Sequence, residues 1–133
     1  MKTYLFACVQ NAGRSQMAAA FFKALADPAR ARAVSAGTAP VERVHPEVVV
    51  AMREAGIDLS ATKPQKLSDD LARTASVLVT MGCGDACPVV PGTRIEDWPL
   101  DDPKGQPLDV VRRIRDDIRA RVLDLVVREA VAR

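Results

Sequence analysis

The chain has 133 residues, 48% hydrophobic and 27% charged, a composition that fits one folded domain and excludes a disordered polypeptide. Nineteen Lys and Arg against seventeen Asp and Glu leave a formal charge of +2, too balanced for a nucleic-acid footprint. No apolar run reaches the ~18–20 residues needed to span a bilayer. The opening residues lack the apolar core and small-residue cleavage site of a secretory signal. A cytoplasmic protein is expected, with residues 1–133 forming a single domain.

Tyr4 to Ala7 is a short continuous apolar run ending at a Gly-containing loop, which predicts a buried strand. Ser15 to Leu25 places Met17, Ala18, Phe21, Phe22 and Leu25 at helical spacing, so a helix with one buried face follows. Asp27-Pro28 ends it. Ala33 to Ala36, closed by Gly37, is a second strand candidate. Pro46 to Ala55 predicts a helix with Pro46 in its first turn and Gly56 just past its end. Leu67 to Arg73 predicts a short helical turn capped by Ser68. Val77 to Met81, rich in β-branched residues and bounded by Gly82, is the clearest strand.

A loop runs from Gly82 to Gly92, and Thr93 to Glu96 is a fourth strand candidate. Asp97 to Pro107 is polar and rich in proline. The last helix carries an apolar stripe of Val111, Ile114, Ile118, Val122, Leu125 and Val126, and its charges read as a solvated face. Strands alternating with helices predict an α/β sandwich with a mainly parallel sheet. In such sheets the site lies beyond the carboxyl ends of the strands. Cys8, the Cys83–Cys87 loop and the Asp101-Asp102 loop can then share one edge.

Three cysteines, Cys8, Cys83 and Cys87, cannot close a disulfide framework among themselves. In a reducing compartment they read as catalytic, metal-binding or buried. His45 is the one histidine, and its spacing from the cysteines matches no zinc motif, so no metal is expected. His45 itself reads as surface structure at a helix start.

The segment that carries chemistry is Cys8-Val9-Gln10-Asn11-Ala12-Gly13-Arg14-Ser15. Five residues between Cys8 and Arg14, with a strand before and a helix after, let the backbone curl round a tetrahedral oxyanion. Its N–H groups then point inward as a nest, and the positive end of the helix adds to the attraction. Arg14 can hold two oxygens with its planar fork. The attacking form of a cysteine is the thiolate, which the same positive field suits. Gly13 permits close approach, Ser15 can donate to the sulfur, and Asn11 can brace the loop.

This segment, CVQNAGRSQM from Cys8 to Met17, resembles the phosphate loop of the low-molecular-weight protein tyrosine phosphatase superfamily, and in particular its arsenate reductases. The likeness continues through Ser35-Ala36-Gly37, through Val79-Thr80-Met81 and the following cysteines, to Asp102-Pro103. It implies a three-layer α/β sandwich with a central four-stranded parallel sheet. It also implies one of two chemistries. Phosphatases of this kind hydrolyse phosphate esters through a cysteinyl-phosphate. The reductases form a cysteinyl-arsenate and need further thiols for two electrons.

On that resemblance Cys8 is the nucleophile and Arg14 the oxyanion clamp. Asp102, the aspartate immediately before proline, is the general acid, in preference to Asp101 or Asp97. Cys83 and Cys87 form the rest of a relay: Cys8–Cys83 first, then Cys83–Cys87. Residues Val9 to Ser15 bind the anion. Arsenate is the expected substrate, with phosphate and sulfate as competing oxyanions. The expected reductant is thioredoxin, the alternative being a small thiol with a glutaredoxin-like partner. No organic cofactor is implied.

Aromatic residues make up 4% of the chain, little with which to grip the phenol ring of a phosphotyrosine; Trp98 reads as a core or rim residue. Thioredoxin-linked relatives also carry a potassium site built from the loop asparagine, a helix acid, the serine of Ser-Ala-Gly and a later aspartate. Asn11 and Ser35 match it, whereas Ala19 and Gln65 stand at the two acidic positions, so tight potassium binding is not expected. The gap between Cys83 and Cys87 is shorter than in those relatives.

Overall fold

The computed structural model describes residues 1–83, 87 and 90–133. Eight elements follow in chain order: β1 (Lys2–Cys8), α1 (Arg14–Leu25), β2 (Ala31–Gly37), α2 (Pro46–Glu54), α3 (Asp69–Arg73), β3 (Val77–Thr80), β4 (Arg94–Asp97) and α4 (Leu108–Arg128). The strands form one parallel sheet in the order β2-β1-β3-β4. The expected elements are all present, with ends displaced by a few residues. Met81 and Thr93 lie just outside their strands, and Ser68 caps α3 by accepting from the Leu71 N–H at 3.0 Å. The predicted loop from Gly82 to Gly92 lies in part, at 84–86, 88 and 89, outside the described residues.

The central strand β1 explains the layering. Its side chains alternate across the sheet. Tyr4, Phe6 and Cys8 join the larger core with α1, α2 and α4, while Leu5 and Ala7 join a smaller core with Leu67, Ala72 and Leu78. A strand covered on both faces must be apolar throughout, and residues 4–8 are all buried.

The predicted stripe of α4 is wholly buried, so the helix is held by packing rather than by its charge pairs. Its partners across the core include Phe22, which lies 4.7 Å from Tyr4 and 5.7 Å from Phe6 between ring centroids. Trp98 is core, 5.9 Å from Phe6, and its indole N–H donates to Glu96.

The Tyr4 hydroxyl donates to Glu129 Oε1 at 2.9 Å, and Arg94 pairs with the same carboxylate at 2.7 Å. Burial opposes charge on Glu129, but the hydrogen bonds from Arg94 and Tyr4 outweigh it and hold its pKa below the ordinary carboxylate range. Burial, and then the Glu129 carboxylate, raise the Tyr4 pKa.

Candidate active site

Parallel strands β1 and β3 and the end of β4 deliver their following loops to one sheet edge. Residues 8–13 curl between β1 and α1, with Asn11 at φ 52°. That left-handed conformation is one asparagine adopts more readily than most side chains, and Asn11 is fully buried.

The carbonyl groups of this loop point outward, and each has a named partner. Thr38 N–H donates to Cys8 O at 3.1 Å, Ala39 N–H to Val9 O at 2.8 Å, Val41 N–H to Gln10 O at 3.2 Å and His45 N–H to Ala12 O at 2.9 Å. Gln16 Nε2 donates to Asn11 O at 3.0 Å, and Met17 N–H to Gly13 O at 3.0 Å. Residues 38–45 are therefore a strap that fixes the loop from outside. With the carbonyls turned away, the amide N–H groups are left for the concave side, the arrangement that binds an anion. The twelve-residue α1 starts there without a side-chain cap, so its first N–H groups are also free to meet negative charge.

Cys8 Sγ lies 2.9 Å from Ser15 Oγ, both buried. What Ser15 can offer the sulfur depends on its neighbours. Gln65 donates its backbone N–H to Asn11 Oδ1 at 2.9 Å, which fixes the oxygen end of the Asn11 amide. The nitrogen end must then donate to Ser15 Oγ at 2.7 Å. With one lone pair so engaged, the Ser15 hydroxyl keeps its proton, which it donates to Cys8 Sγ when the sulfur is a thiolate and so stabilises the negative charge.

Arg14 is almost buried. Its Nη1 donates to Leu100 O at 3.1 Å, and its Nη2 lies 3.8 Å from Asp102 Oδ2. The Asp102 side chain is half exposed and its Oδ1 accepts the Lys104 N–H at 3.0 Å. Pro103 is seated against Gly13: a Cβ on Gly13 would come within 2.8 Å of the Pro103 ring. The aspartate–proline segment thus packs directly on the loop. Asp97 is placed differently, accepting from Thr80 Oγ1 at 2.7 Å between adjacent strands.

Cys83 and Cys87 are joined as a disulfide with a Cα–Cα distance of 5.5 Å, while Cys8 is a free thiol. The pair is buried in the smaller core with Leu5, Ala7 and Leu67, whereas Cys8 belongs to the larger one.

The potassium donor set does not fit this chain. Asn11 Oδ1 already accepts from Gln65 N–H and from Gln16 Nε2 at 3.2 Å. Gln65 Nε2 donates to Ser35 O at 2.8 Å, and Ala19 has no side-chain oxygen. Amide N–H groups meet the oxygens that would face a cation. No cluster of three or more His, Cys, Asp or Glu suited to a metal occurs among the described residues.

Several residues that hold this site had no such role in the sequence reading. Gln16 acts locally on Asn11, whereas Gln65, Leu100 and the strap at 38–45 act through long-range hydrogen bonds, Leu100 and the strap by backbone atoms. His45, read as surface structure, is half-buried and part of that strap.

The site thus combines a free thiol, a loop with its carbonyls turned outward, an arginine at the start of α1 and an aspartate–proline segment packed on the loop, with a disulfide in the same molecule. The chain belongs to the low molecular weight phosphotyrosine protein phosphatase family, which it matches over residues 3–133, and within it to the arsenate reductases. It is 44% identical over 128 residues to a Halobacterium salinarum protein named "Putative arsenate reductase", covering 90% of this chain and 87% of that one. It is 37% identical over 131 residues to the glutaredoxin arsenate reductase of Synechocystis sp., covering 96% and 98%. The thioredoxin-dependent arsenate reductase of Corynebacterium glutamicum superposes with a TM-score of 0.81 at 37% identity, covering 94% of this chain. This chain spans 60% of the length of that protein.

Proposed function

We propose that this chain reduces arsenate to arsenite through a relay of Cys8, Cys83 and Cys87, with thioredoxin as the final reductant. The observation that carries the reading is the pairing of a free Cys8, hydrogen-bonded in an anion loop, with a Cys83–Cys87 disulfide in the same molecule. The described state corresponds to the end of one turnover.

Arsenate enters the loop with its oxygens on the amide N–H groups and on Arg14. Cys8 Sγ attacks arsenic, and the departing oxygen leaves as water after taking a proton from Asp102. Cys83 then attacks the Cys8 sulfur. The S–As electron pair passes to arsenic, which leaves as arsenite, and a Cys8–Cys83 disulfide forms. Cys87 attacks Cys83, expels the Cys8 thiolate and leaves Cys83–Cys87. A dithiol reductant returns two electrons and two protons. Cys8 and Cys83 belong to different cores in the described state, so the relay requires the two sulfurs to come together for the first disulfide.

A phenol substrate finds little here. All five aromatic side chains, Tyr4, Phe6, Phe21, Phe22 and Trp98, are buried at 4% exposure or less. None is presented to grip a ring, which favours a small inorganic oxyanion. The deciding experiment mixes fully reduced chain with excess arsenate and no added reductant. One arsenite per chain, with free thiols falling from three to one, is expected. Three intact thiols and no arsenite, with turnover of an aryl phosphate, refute the reductase reading. Reduction of the oxidised chain by thioredoxin, against glutaredoxin with glutathione, assigns the partner.

A further inference from the structure

Gly82, between β3 and Cys83, lies directly under the Arg14 guanidinium. It has φ +89°, and a Cβ built on it would overlap Arg14 Nη1, while also crowding Cζ at 3.1 Å and Nη2 at 3.4 Å. On the other side Arg14 Nη1 is held by Leu100 O at 3.1 Å and Nη2 faces Asp102. The guanidinium is thus confined between the start of the cysteine loop and the aspartate loop.

We infer that Gly82 is a positioning residue for oxyanion binding: its bare Cα forms the seat on which the Arg14 fork lies. The inference rests on the proposed oxyanion chemistry and adds a residue to it. Its physical basis is the kind of atom displaced. A side chain at 82 would press on the tip of a flexible arginine rather than on backbone, so the chain can relieve the clash by moving the guanidinium. The cost then falls on ligand geometry more than on folding. A bidentate contact needs both nitrogens in place, and a shift of the fork loses it. Gly82 is also bonded to Cys83, so movement of the cysteine loop is felt at the arginine.

Alanine at a left-handed position is strained whatever surrounds it, so the test needs a matched control. Gly92 has φ +83° with nothing within 4 Å of its built Cβ. The probe is inorganic phosphate, titrated against the reduced chain, together with KM for arsenate. Gly82→Ala is expected to weaken phosphate binding and raise KM by about tenfold or more, the worth of a charged hydrogen bond. Gly92→Ala is expected to stay within about twofold on both. In an Arg14→Lys background, Gly82→Ala is expected to add less than about twofold, because there is no fork to displace. Equal losses from Gly82→Ala and Gly92→Ala, or a full loss persisting in the Arg14→Lys background, would show that Gly82 acts through backbone strain and overturn the inference. An unchanged phosphate affinity in Gly82→Ala does the same. A wild-type chain that binds no phosphate overturns the oxyanion reading itself, and this inference with it.

Discussion

Replacing Ser15 with alanine removes one atom from a buried chain of hydrogen bonds, and its consequence can be worked from the geometry. Ser15 Oγ accepts from Asn11 Nδ2 at 2.7 Å and lies 2.9 Å from Cys8 Sγ. The variant deprives the sulfur of its donor and leaves the Asn11 nitrogen unpaired. A hydrogen bond to a charged acceptor contributes ~1.5–3 kcal/mol, and the Cys8 sulfur loses that support when it carries negative charge. The single-turnover rate of arsenite formation is therefore expected to fall by about tenfold, the lower end of that range. Alkylation of Cys8 in a chain also carrying Cys83→Ser and Cys87→Ser should slow in parallel. The orphaned Asn11 nitrogen should lower stability by ~1–3 kcal/mol, measured by urea unfolding. Wild-type rates in a folded Ser15→Ala chain would refute the support of the Cys8 sulfur by Ser15.

Cys87→Ser is expected to release one arsenite per chain and then stall with Cys8 and Cys83 joined, seen by peptide mapping of the arrested protein; continued turnover contradicts the relay. Glu129 has a depressed pKa in the fold, so its contribution to stability is complete above the ordinary carboxylate pKa of about 4.3 and is lost as pH falls through the lower folded value. The stability gap between wild type and Glu129→Gln should accordingly narrow on acidification in urea titrations. Tyr4, the only tyrosine, has a raised pKa, so its contribution holds below the ordinary value of about 10 and is lost as pH rises beyond it. Phenolate absorbance should appear together with loss of circular dichroism, rather than before it. Ile118→Ala empties a fully buried position on α4 and should cost ~2–5 kcal/mol in the same unfolding assay.

The amino-acid sequence by itself determined whatever depends on neighbours along the chain. The α4 stripe from Val111 to Val126 was legible because 3.6-residue periodicity needs no tertiary information. Cys8, Arg14 and Ser15 were legible as one unit because a strand–loop–helix segment brings them together locally. Gly13 was read as letting the loop approach closely; its contact with the Pro103 ring was not part of that reading.

Only the tertiary structure decided what depends on distant segments meeting. Asp97 faces Thr80 rather than the loop, since two parallel strands set its neighbour. The orientation of the Asn11 amide, and with it the donor to Ser15 Oγ, rests on the Gln65 N–H, 54 positions from Asn11. The guanidinium of Arg14 rests between Leu100 and Gly82, and the strap at 38–45 turns the loop carbonyls outward through backbone atoms. Backbone donors and acceptors are common to nearly every residue type, so side-chain identity carries no sign of which will meet. That information enters when the sheet forms and fixes which loops share its edge.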